Sequence, residues 1–151
     1  MSAPTTPHPL FETYTRFGEL NFSSLKDELP AIRDYLERFP AELQALEGYR
    51  AVRGFLKSYA GNESTFNSYR THVERLLLWT LMKSRVPLLE MRRTHAEEFM
   101  EFCLALDPAW VGPMVKSRFN RLGARKKVAT DTYVLNTNWK PFSQTVSKGE
   151  R

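Results

Sequence analysis

The sequence of 151 residues holds one cysteine, which excludes an internal disulfide and any metal cluster built from paired thiolates. Its 3 histidines, His8, His72 and His95, show no ligand spacing among themselves, so each reads as a surface or internally satisfied side chain and not as a catalyst. No G-x-S-x-G, no phosphate-cradling GxxxxGK[ST] and no HExxH occurs, which leaves no catalytic constellation and no cofactor to expect. Apolar runs stay well short of the roughly 18 residues a membrane helix needs, and Met1–Pro9 lacks a basic segment followed by an apolar one. The expectation is a soluble, untargeted chain compatible with a reducing cytoplasm. With 7 Gly and 9 Pro, scattered, against 42% apolar and 26% charged residues, low-complexity disorder is excluded as well. The length suits one domain, or one domain with tails, and excludes a multidomain enzyme.

What is present is charge, unevenly placed. The formal +5 and pI of about 9.5 conceal opposing blocks. Residues 1–47 carry 4 basic and 8 acidic groups, and residues 48–93 carry 9 basic and 3 acidic. Residues 94–115 carry four acids and no base, and residues 116–151 carry 9 basic and 2 acidic groups. Segregation of this kind gives a fold acidic and basic faces, and a basic face is the electrostatic footprint of phosphate binding. An ordinarily patchy solvated surface is the other reading.

Proline, glycine and capping residues punctuate the chain. The opening residues, with Pro4, Pro7 and Pro9, follow neither regular period and read as a flexible or extended arm. Leu25, Leu29, Ile32, Leu36 and Phe39 keep helical spacing, but a proline cannot sit deep in a helix. The helix is therefore expected to start at Pro30 and end before Pro40, with a short continuation through Leu46. Tyr49, Val52, Phe55, Leu56 and Tyr59 predict a second helix, stopped by Gly61 in the left-handed conformation. The strongest signal runs from Ser64 to Arg85, where Phe66, Tyr69, Val73, Leu76, Leu77 and Thr80 form one stripe. Leu78, Trp79, Leu81 and Met82 widen it, predicting deeper burial at the far end. Asn62 or Ser64 caps this helix and Pro87 closes it, while Thr94-His95-Ala96-Glu97 has the form of a capping box opening the next. Asp107-Pro108 ends that helix, and beyond it only short pieces such as Tyr133-Val134-Leu135 and Trp139 to Phe142 look capable of packing.

Two clusters carry candidate chemistry. Asn62 through Arg70 gathers small hydroxyl and amide side chains at a helix start, where unpaired N–H groups and the dipole favour an anion, and Arg70 follows a turn later. Plain capping explains the same residues. Lys116, Arg118, Arg121, Arg125, Lys126 and Lys127 place six cations in twelve residues with Phe119 among them, suited to phosphate contacts or to a solvated basic loop. Glu97, Glu98 and Glu101 resemble a metal cluster only until capping and the solvated face are counted, and Cys103 reads as a small core residue.

The order of these motifs resembles the N-terminal core-binding domain of phage-type integrases, the tyrosine recombinases. The residues that carry the resemblance are Tyr49-Arg50-Ala51-Val52-Arg53-Gly54-Phe55-Leu56, then Thr65-Phe66-Asn67-Ser68-Tyr69-Arg70, then Glu74-Arg75-Leu76-Leu77-Leu78-Trp79. Trp110-Val111-Gly112-Pro113 and Trp139-Lys140-Pro141-Phe142 look like the insertion and proline-aromatic lead-in of one integrase subgroup. The resemblance spans roughly residues 48–147.

It implies an all-α fold, a small SAM-like helical bundle with a flexible N-terminal arm and an irregular C-terminal segment. Residues 1–24 would be the arm, 25–47 an accessory helical segment, 48–147 the core-binding domain in incomplete form and 148–151 a tail. It further implies a fragment without catalytic residues: the family's Arg, Lys, His-x-x-Arg and nucleophilic Tyr have no counterpart, and Tyr133 is no candidate because no HxxR precedes it. By position, Ser64, Thr65 and Ser68 would contact double-stranded DNA with Arg70 as a phosphate ligand, while Phe66 and Tyr69 point to the core. Lys116, Arg118, Arg125, Lys126 and Lys127 are the further candidates for DNA contact. The remaining partners implied are the recombinase's own catalytic domain and neighbouring protomers, in a bacterial or phage-encoded, nucleoid-associated protein. A helical protein-interaction module is the alternative.

Overall fold

The computed structural model describes residues 4–11, 30–59, 61–113, 115, 118–121 and 133–143. Four α-helices dominate them: α1 (Pro30–Glu37), α2 (Ala45–Lys57), α3 (Glu63–Trp79) and α4 (Arg93–Leu104). Four short strands follow, β1 (Val111–Gly112), β2 (Phe119–Arg121), β3 (Tyr133–Leu135) and β4 (Phe142–Ser143). They pair as a parallel β1–β4 ladder, Val111 opposite Phe142, and an antiparallel β2–β3 ladder, Asn120 opposite Val134.

Proline and capping chemistry account for the helix boundaries. α1 begins at Pro30, whose fixed φ and missing N–H suit a first helical position. The expected continuation after Pro40 is shorter than predicted: a 3-10 turn covers Ala41–Leu43, and left-handed Gln44 (φ 51°) redirects the chain into α2 at Ala45. Gly61 does not stop α2. The helix closes at Ser58 with φ −63° and ψ −20°, and tightened bonds from Ser58 and Tyr59 to Phe55 and Leu56 satisfy its last carbonyls. α3 starts where the Asn62 carboxamide accepts the Thr65 N–H at 3.0 Å, as the capping signal predicts. Its continuation to Ser84 is a π-helical turn, left through Arg85 at φ 58° ahead of Pro87. The capping box of α4 is displaced from its expected place. Arg92 is the N-cap, His95 Nδ1 accepts its N–H at 2.9 Å, and Glu97 pairs along the surface with Arg93.

One core joins the first three helices to Trp110, Trp139 and Phe142, with partly buried Phe99, Phe102 and Cys103 of α4 packed against it. Ile32 and Leu36 of α1, Tyr49 and Leu56 of α2, and Phe66, Leu77 and Leu78 of α3 are all fully or almost fully buried. Continuous burial from Leu77 to Leu81 confirms that the α3 stripe widens toward its end. α2 and α3 approach closely at Gly48, where a Cβ would stand 3.2 Å from Leu77 Cδ1. α2 also runs straight through the expected division between residues 47 and 48.

The N-terminal segment departs most from its expected character. Residues 4–11 form a strap packed into the core, with Leu10 and Phe11 fully buried and Phe11 stacked on Tyr49 at 5.1 Å between ring centres. At its end Glu74, and not a neighbouring strand, takes the backbone amides. Glu74 Oε2 accepts the N–H groups of Leu10 at 2.7 Å and Phe11 at 3.2 Å, while Oε1 accepts Arg118 Nη2. Upstream, the Tyr35 hydroxyl donates to the Thr6 carbonyl at 2.6 Å, and His8 stacks on the Tyr35 ring at 4.9 Å.

Two predictions follow from the strap. Replacing Glu74 with Ala leaves a buried guanidinium and two amides without their acceptor, and urea unfolding should show a loss of about 3 kcal/mol. For His8, burial first, then Lys140 and Arg38, hold the imidazole below its ordinary value of 6.5. The unfolded chain therefore binds the extra proton first, and stability should fall as pH drops below about 6.5. His8→Phe keeps the stacking and should flatten that dependence in pH-resolved unfolding curves.

Candidate nucleic-acid interface

At about 100° of rotation per residue, Ser64, Ser68, Thr71 and Arg75 lie at spacings of 4, 3 and 4 and share one stripe of α3. Ser64 and Ser68 are exposed, and Thr65, half-buried, flanks them on one side. The cap of this helix is made by Asn62, so the hydroxyls of Ser64, Thr65 and Ser68 are not what starts it. Glu63 already supplies a negative charge to the first turn. The extreme helix end therefore already carries a carboxylate, and the exposed hydroxyls of Ser64 and Ser68 lie along the stripe that leads away from it.

Arg70 does not share the face of the serines. Two residues of rotation put it roughly 160° around the helix from Ser68, on the side turned toward the C-terminal segment. There it is half-buried and lines a cleft of about 250 Å³ with Thr71, Glu74, Arg75, Arg118, Trp139, Lys140 and Ser143. Position along the sequence suggested a single site, whereas the helix splits it into a hydroxyl face and a cationic cleft. The stripe joins them, because Arg75 belongs to both.

Arg118 has a different role from the one its basic surroundings suggested. Its side chain is only 11% exposed, its Nη2 donates to Glu74, its Nε donates to the Phe11 carbonyl, and its guanidinium lies 4.9 Å from the Trp139 ring centre. A cation held this way links the strap to the C-terminal segment. Lys116, Arg125, Lys126 and Lys127 lie outside the described residues.

Tyr69 also differs from expectation. It is 37% exposed and packs on Phe55 and Tyr59, at 5.6 and 4.7 Å between ring centres, in a surface trio beside the start of α3. Phe66, by contrast, is fully buried as expected. Sequence reasoning missed Arg75 and Lys140 as site residues. Arg75 Nε donates to the Pro141 carbonyl at 2.8 Å, its guanidinium stands 4.0 Å over the Phe142 ring, and Lys140 closes the far side of the cleft. The available signal was the helical spacing of Arg75, four residues beyond Thr71 and seven beyond Ser68. For Lys140 no local pattern exists. Among the described residues no group of three or more His, Cys, Asp or Glu side chains could hold a metal ion.

The division of labour at the α3 start is testable by stability. Asn62→Ala should cost about 1 kcal/mol through the lost cap. Ser64→Ala and Ser68→Ala should leave the thermal midpoint unchanged, as expected of exposed side chains outside the cap. Comparison of the chain with known protein families, with curated proteins and with solved structures gives no match.

Proposed function

We propose that the chain is the DNA-binding, core-binding module of a site-specific tyrosine recombinase, a SAM-like helical unit that helps clamp the recombination site. It has no catalytic activity of its own in this reading. Strand breakage and rejoining would belong to a catalytic domain, its first partner, with neighbouring protomers on the same DNA in the cytoplasm of a bacterial host.

The observation that carries this reading is the hydroxyl stripe of α3. Ser64 and Ser68 stand exposed on a helix already capped by Asn62, so capping does not account for them. The segregated basic blocks and the order of motifs that resembles the integrase module add to it. A second reading, a helical protein-interaction module, draws on the exposed apolar side chains Leu104 (89%), Met100 (67%) and Leu89 (65%) on and before α4.

Anisotropy of a labelled duplex separates the two. Binding on the order of 10⁻⁴–10⁻⁶ M that weakens steeply with salt is expected of phosphate-dominated contact. Replacing Ser64, Thr65 and Ser68 together with Ala should weaken it while helical circular dichroism stays intact. Absence of binding at about 50 mM salt would discard the DNA reading in favour of the interaction module.

A further inference from the structure

We propose that the cleft between α3 and the β1–β4 ladder seats a phosphate group. Four cations line it, Arg70, Arg75, Arg118 and Lys140, against a single carboxylate, Glu74. Glu74 is already neutralised by Arg118. Among the described lining residues cations thus outnumber carboxylates, in a partly enclosed space where screening by salt is weaker than on an open surface.

Donor capacity points the same way. A guanidinium has five N–H donors and an ammonium three. Arg75 uses its Nε on the Pro141 carbonyl, and Lys140 donates to the Thr137 carbonyl at 3.0 Å. Both bonds run to backbone oxygens, which fix the two side chains in place without cancelling their charge. Burial lowers Arg75 from the ordinary guanidinium value, with Cys103 and Glu74 acting in the other direction. An anion beside it offsets that cost of burial.

Size selects the ligand. About 250 Å³ falls below the roughly 300–1,000 Å³ of sites for drug-sized molecules, so the cleft suits one phosphate with a little of what it is attached to. Pro141 and Trp139 supply a rigid wall, and close contact with Gly112 orients the Lys140 stem, since a Cβ there would stand 2.7 Å from Lys140 Cγ. The chemistry is that of a phosphate oxygen meeting a fixed Arg and Lys. Its source, a backbone phosphodiester or a free phosphate, is what the experiment decides; only the phosphodiester source rests on the DNA-binding reading.

The test uses the full chain, with inorganic phosphate and a labelled duplex as separate probes. The indole N–H signal of Trp139, followed by NMR, should shift saturably with phosphate and not with chloride at equal ionic strength. Arg70→Gln combined with Lys140→Met should weaken phosphate binding about tenfold, with helical circular dichroism unchanged. Lys140→Met alone retains the packing on Gly112 and should give a smaller loss in the same direction. If the duplex competes with phosphate and loses affinity in the same variants, the occupant is a DNA phosphodiester. If phosphate shifts Trp139 and the duplex does not bind, the cleft stands as a free-phosphate site and the DNA reading falls. If the duplex binds equally to wild type and variants while phosphate binding is weakened in them, the cleft is a free-phosphate site and the DNA lies elsewhere. If phosphate leaves Trp139 unshifted, if chloride shifts it as phosphate does, or if the variants bind phosphate as wild type does, the cleft proposal is overturned.

Discussion

A single carboxylate in the middle of α3 ties together parts of the chain that are far apart in sequence. Glu74 is 1% exposed, and it accepts the amides of Leu10 and Phe11 and the guanidinium of Arg118. A buried carboxylate is tolerable only when its lone pairs are met by donors, and strap amides without strand partners are tolerable only when they find an acceptor. Each makes the other possible. Arg118 extends the arrangement by donating to the Phe11 carbonyl and facing Trp139, so the strap, α3 and the C-terminal segment close around one charge.

Arg75, the next residue, repeats the device toward the other end of the chain. It bonds the Pro141 carbonyl and lies over Phe142, which itself pairs with Val111 in the β1–β4 ladder. Short strands of two or three residues have little stability of their own. Here they are held by the helix beneath them and by Trp110 and Trp139, both buried. The short pieces after residue 108 are thus part of the same body as the helices and form one wall of the cationic cleft.

α3 serves two ends at once. Its C-terminal half is buried on nearly every side from Leu77 onward, which anchors it, and its N-terminal half presents hydroxyls to solvent. An exposed polar half on a firmly anchored helix is a rigid platform, since side chains there are positioned by backbone that cannot readily shift. The charge pattern acquires a spatial meaning from this. Of the basic residues in the run 116–127, Arg118 is consumed by the fold, whereas Arg75 and Lys140, isolated in sequence, meet across the cleft.

The sequence by itself determined the helical character, the punctuation at Pro30, Asn62 and Pro87, and the widening apolar stripe of α3, because these depend on spacing and dihedral preference within a few residues. The exposed hydroxyls of Ser64 and Ser68 were legible for the same reason. Tertiary structure alone decided that the strap of residues 4–11 buries Leu10 and Phe11 in the core, that Arg118 is an internal partner, and that Arg70 turns from the serines into the cleft that Lys140 also lines. Those outcomes rest on contacts between residues 44 to 107 positions apart and on rotation about one helix axis. A local period carries no record of which distant carboxylate will take a proline-broken segment's amides. The charge excess of the chain was plain from its composition, while the gathering of Arg75 and Lys140 at one cleft depended on α3 meeting the segment from Trp139 to Phe142.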